Sequence, residues 1–206
     1  MRTDRIHIDP QGNGIRQIMD EAEKFAEYSN FDKKDAMRLR LLCEEATEML
    51  RHLAGEFNAL VWIEDNLSGE TNIVLEIRTD MDKEKRARFL NVSSTGKNMN
   101  SKGIIGKLRD IVEFALMEEN VRERMTDYDF LQMGASDEEK NEEEMTDFDI
   151  WSLSQYKGAV DGFRSESDRY EEAWDELEKS IIANLADDIR IGIRDKKVNM
   201  IISKKF

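Results

Sequence analysis

A single cysteine (Cys43), a single proline and two histidines are spread over 206 residues. One thiol closes no internal disulfide and builds no cysteine zinc site, and two imidazoles do not make a multi-histidine metal centre. Soft-metal chemistry is set aside. No run approaches the ~20 apolar residues of a membrane span, and Met1-Arg2-Thr3-Asp4-Arg5-Ile6-His7 has no apolar stretch behind its charges. A cytoplasmic protein without a membrane partner is expected. Positive charge is also short: 31 Lys+Arg face 45 Asp+Glu, for a net charge of −14. Contact with DNA or RNA would begin from long-range repulsion, so no nucleic-acid partner is expected.

What the chain does have is periodicity. Ile6 and Ile8 alternate with polar residues up to Asp9-Pro10, which reads as a short strand. Ile15, Ile18, Met19, Ala22, Phe25 and Ala26 recur at helical spacing and predict an amphipathic helix from Asn13 to about Tyr28. Asp32 and Asp35 open a second helix that runs to about Ala54, with Gly55 as its stop and Leu39, Leu42, Cys43, Ala46, Leu50 and Leu53 as its core stripe. Residues 59–64 and 72–78 read as a hairpin, 81–102 as a mobile loop, and Gly103-Ile104-Ile105-Gly106 as the opening of a helix through Leu116. Ile189, Ile191 and Ile193 turn at Asp195-Lys196-Lys197 and return through Val198, Met200 and Ile202, a terminal hairpin. Trp62, Phe25 and Phe114 read as packing residues.

Residues 118–186 differ in kind. Asp137 to Glu144 is a self-repelling charge run, expected to be solvated. Trp151, Leu153, Tyr156, Val160 and Phe163 suggest a short helix. Tyr170, Ala173, Trp174, Leu177, Ile181 and Leu185 predict one helix from about Glu166 to Ala186. That stripe offers either docking on the domain or a homodimer seam, and docking is the default.

Glu44, Glu48 and His52 stand at i, i+4 and i+8 of the second helix and so project from one face. The plain reading is a solvated face on which Arg40 pairs with Glu44, and Arg51 or His52 sits near Glu48. Further along, eight basic residues (Lys83, Lys85, Arg86, Arg88, Lys97, Lys102, Lys107, Arg109) are opposed between 83 and 109 by Glu84 alone. The island surrounds a small-residue helix start, whose unsatisfied N–H groups form a natural anion site. A basic loop that neutralises the acidic stretch or binds an acidic partner is the alternative.

The run Cys43-Glu44-Glu45-Ala46-Thr47-Glu48-Met49-Leu50-Arg51-His52 resembles the N-box helix of the gyrase/heat-shock-chaperone/histidine-kinase ATPase superfamily, most of all its anti-sigma-factor serine kinase branch, whose pattern is Ser-Glu-Ala-x-x-Asn-Ala-x-x-His. The resemblance covers roughly residues 5–116 and 187–205. It implies Glu44 as the catalytic carboxylate and Glu48 as the magnesium ligand, in the place of the family's Asn. Asp80 would read the adenine amino group, without the glycine that usually follows. Ser101, Gly103 and Gly106 would form the phosphate cradle, with Lys97, Lys102 and Lys107 as its cations and Ser101 where the family has an earlier glycine.

The expected fold is α+β: a two-layer sandwich in which a mixed sheet is covered by helices on one face. Residues 1–117 and 187–206 would form a histidine-kinase-like ATPase domain, and 118–186 an acidic, helical insertion before the C-terminal hairpin. The resemblance implies an ATP-binding regulatory domain with Mg2+ that acts on or sequesters a protein partner, as a serine protein kinase with an atypical metal position. The alternative is a catalytically degraded pseudo-kinase, used as a protein-interaction module without turnover.

Overall fold

The computed structural model describes residues 1–53, 57–66, 69–79, 104–117, 149–163, 165, 168–194 and 197–206. In chain order the elements are β1 (Ile6–Ile8), α1 (Ile15–Tyr28), α2 (Lys33–Arg51), β2 (Phe57–Asp65), β3 (Thr71–Thr79), α3 (Ile104–Met117), β4 (Asp149–Ser152), α4 (Leu153–Phe163), α5 (Asp168–Lys179), α6 (Ile181–Leu185), β5 (Asp188–Arg194) and β6 (Lys197–Lys204). The fold is α+β, with a six-stranded sheet in the order β1-β2-β3-β6-β5-β4.

Every pairing in that sheet is antiparallel, which corrects the mixed sheet expected from the sequence. The reason lies in the connections. One crossover helix between neighbouring strands leaves them parallel, whereas β1 and β2 are joined by two helices, α1 and α2, packed on each other. The second helix reverses the chain again, so β2 enters antiparallel to β1.

Strand alternation sets the core. Ile6, Ile8, Ala59, Val61, Ile63, Ile73, Leu75, Ile77, Ile189, Ile191, Val198, Met200 and Ile202 join the buried stripes of the helices in one cluster. Trp62 is also buried, at 6% exposure, but outside that cluster. Its ring lies under the guanidinium groups of Arg2 and Arg5, each 4.6 Å from the centroid, and its Nε1 donates to Glu64. It packs on the other sheet face, as its alternation with Val61 and Ile63 requires. Phe25 is fully buried in the cluster; the side chain of Phe114 lies outside the described residues.

Two expectations for residues 149–186 are corrected. Trp151 belongs to β4, not to the following helix, and β4 extends the main sheet by pairing with β5. Trp151, Leu153, Tyr156 and Val160 thus enter the same core as β1 to β3. The long helix expected over 166–186 is two helices, broken at Ser180, whose backbone is extended and whose side chain accepts from Ala183 N–H as the cap of α6. Leu177 on α5 and Ile182 on α6 are both buried in the core, so the bend lets each helix present its own apolar side. Most of the Trp174 stripe docks: Ala173 and Leu177 are buried, and Tyr170, Trp174 and Leu185 pack against the cluster, but Ile181, expected on the same stripe, is 48% exposed and Ile182 is buried in its place. The charge run 137–144 and the expected loop 81–102 lie outside the described residues.

Candidate functional site

The carboxylate helix α2 begins where Asp32 accepts from the backbone N–H groups of Lys34 and Asp35, each at 2.8 Å. Leu39, Leu42, Cys43, Ala46, Met49 and Leu50 are all buried. On a 100° wheel this stripe forces Arg40, Glu44, Glu48 and Arg51 onto the opposite side. Glu44 accepts from Arg40 Nε at 3.0 Å, and the same guanidinium reaches across to Glu23 on α1. Glu48 accepts from Arg51 at 3.2 Å and lies 3.5 Å from His52 Nδ1. The solvated ion-pair face read from the sequence is therefore the local structure. Glu44, Glu48 and His52 side chains are 45%, 50% and 58% exposed, so each pair is worth about 0–1 kcal/mol and yields readily to a stronger ligand.

The carboxylate that the sequence reading passed over is Glu45. It sits half-buried at the edge of the stripe, three residues after Leu42 and four before Met49. Among the described residues nothing hydrogen-bonds or ion-pairs with it. Burial, then the charges of Glu48 and Glu44, push its carboxyl above the usual carboxylate range. The only sign of it in the sequence is its position beside the apolar stripe rather than on the solvated face with Glu44 and Glu48. Because ionisation costs more in the folded state, stability is full at low pH and falls as pH rises through the ordinary glutamate range. Glu45→Gln should therefore raise the melting temperature modestly at pH 7 and have no effect below about pH 4. A lower melting temperature at pH 7 would show that the carboxylate has a stabilising partner.

The second half of the expected site belongs to α3. Ile104, Leu108, Ile111 and Val112 are buried, and α3 packs against α2, β5, β6 and α6. Gly106 is buried within its first turn. Lys107 does not point to the α2 carboxylates. Its ammonium donates to Tyr156 Oη on α4, lies 4.9 Å over that ring and is 3.5 Å from Glu176 on α5. Asp80, Lys97, Ser101, Lys102 and Gly103 lie outside the described residues.

The structure thus sets Glu44, Glu45 and Glu48 on one helix and packs that helix against the one bearing Gly106 and Lys107, while directing Lys107 elsewhere. Cys43 is buried in the α2 stripe, where desolvation pushes its thiol up to about 12, so it is no nucleophile at neutral pH. Among the described residues no three His, Cys, Asp or Glu side chains converge as a metal-ligand set. Of the described residues, Glu48 is the one expected to hold a magnesium ion, which commonly accepts one or two carboxylates together with phosphate oxygens and water. Glu48 would first have to leave Arg51 and His52. Comparison of the chain with protein-family models, curated proteins and solved structures finds no match.

Proposed function

We propose that the chain is a nucleotide-binding regulatory domain that acts on or sequesters a protein partner, with ATP and Mg2+ as its ligands. The observation that carries this reading is the direct packing of α2 against α3 within a chain order of strand, two helices, hairpin and helix, followed after β4 and α4 to α6 by the terminal hairpin. The carboxylate helix and the helix expected to bind phosphate are neighbours. Glu44 would take up the proton of an attacking hydroxyl, Glu48 would hold magnesium, Asp80 would accept from the adenine amino group, and Ser101, Gly103 and Gly106 with Lys97, Lys102 and Lys107 would cradle the phosphates. When bound, magnesium neutralises developing phosphate charge; positioning supplies most of the rest of such a transfer.

A second reading, a pseudo-kinase that binds a protein partner without turnover, draws on one specific observation. Both carboxylates needed for chemistry are held in ion pairs with cations of their own helix, which places positive charge beside the groups that should act as base and ligand. Calorimetry and a melting curve with millimolar ATP and Mg2+ test the first reading. Binding heat and a raised melting temperature are expected; their absence would leave the interaction module. If ATP binds, ADP formation in the presence of a candidate protein substrate separates kinase from pseudo-kinase. No helix among the described residues is long and apolar enough to cross a membrane.

A further inference from the structure

Lys107 is claimed twice, once by the nucleotide reading and once by the contacts it makes. Its stem rises from the first turns of α3, and its ammonium is shared between Tyr156 of α4 and Glu176 of α5. Tyr156 is 1% exposed and holds its place by packing on Trp151, 5.9 Å between ring centroids. Glu176 is different. Its side chain is 36% exposed and that of Lys107 27% exposed, at a separation of 3.5 Å. A partly exposed pair at that distance is weak, whereas a polyphosphate offers the same ammonium several charges at once.

We propose that Lys107 is a shared cation: it clasps α5 to the domain when no nucleotide is bound, and nucleotide phosphate competes with Glu176 for it. This rests on the nucleotide reading above and adds its regulation. Because coupling between two sites is reciprocal, phosphate binding loosens α5, and anything that pulls on α5 changes nucleotide affinity. A protein partner that seizes the exposed acidic side of α5 (Glu171, Asp175) would thus favour the nucleotide-bound form.

The test compares wild type, Glu176→Gln, Lys107→Met and Glu172→Gln, reading ATP affinity with Mg2+ by calorimetry and amide exchange of residues 168–179 with and without ATP. Glu176→Gln should tighten ATP binding about fivefold or more and raise exchange in α5 before ligand is added. Lys107→Met should raise the same exchange but weaken ATP binding. Saturating ATP should raise α5 exchange in wild type. Glu172 makes no contact with Lys107, so Glu172→Gln measures the general effect of removing one negative charge and should change affinity little. If wild type binds ATP but Glu176→Gln binds it no better than Glu172→Gln, or if ATP leaves α5 exchange unchanged, the clasp is only structural and the nucleotide reading survives. If none of the four proteins binds ATP, both fall.

Discussion

Gly14→Ala should cost about 3 kcal/mol or more, far beyond a typical surface change. Gly14 caps α1 with φ +87°, a conformation that alone costs an L-residue ~1–2 kcal/mol. The space is worse than the torsion. A Cβ there would lie 2.0 Å from the carbonyl oxygen of His7 and 3.2 Å from Ile6 Cγ2. The obstacle is the backbone of β1, which is hydrogen-bonded to β2 and cannot step aside. The loop offers no slack either: Asp9 accepts from the N–H groups of Gln11 and Asn13, each at 3.0 Å, and from Asn13 Nδ2 at 2.7 Å. Urea unfolding of the two proteins measures the difference. Gly69→Ala is the control, with φ +77° but nothing within 4 Å of the added carbon; it should cost only ~1–2 kcal/mol. Equal losses in the two variants would mean that torsion, and not the close approach to His7, makes glycine necessary.

Tyr156→Ala should cost about 3–5 kcal/mol, the range for losing a buried aromatic ring. The ring is essentially inaccessible, stacks at a tilt on Trp151 and carries Lys107 above it, so the cavity has no obvious way to close. Tyr156→Phe keeps the packing and loses only the hydrogen bond from Lys107, about 1 kcal/mol. The comparison bears on more than stability. α4 packs on β4, β5 and α5, and Tyr156 is its largest core side chain, so its loss should expose residues 153–179 to amide exchange before the rest of the domain unfolds. A Tyr156→Ala protein within 1 kcal/mol of wild type would show that α4 is an appendage outside the cooperative core.

Much of the architecture was legible because it rests on local patterns. The stripe from Ile15 to Ala26, the Asp32 cap, and the alternation over 72–78 and 198–202 each contain their structure in a few neighbouring residues. Glu44 and Glu48 were likewise placed on one face by spacing alone, and so were their partners Arg40, Arg51 and His52. β4 was not legible. With only Ile150 and Trp151 apolar among four residues, it is a strand because β5 offers it an edge, and no local preference records that. The break at Ser180 was hidden for a similar reason: apolar spacing continues through it, and only packing against two sides of the core separates Leu177 from Ile182.

The candidate site divides along the same line. Residue type and spacing determined that α2 would carry carboxylates opposite its apolar stripe, and that the chain would alternate helices and hairpins into an α+β domain. Tertiary structure alone decided that all six strands run antiparallel, that Glu45 is left half-buried with no hydrogen-bond or ion-pair partner among the described residues, and that Lys107 turns to Tyr156, 49 residues away. Helical and strand periodicities are short-range properties of a polymer with fixed geometry, so a linear string can display them. Which distant groups share a low-dielectric contact is set by how whole elements close over one core, and that is a property of the assembled packing.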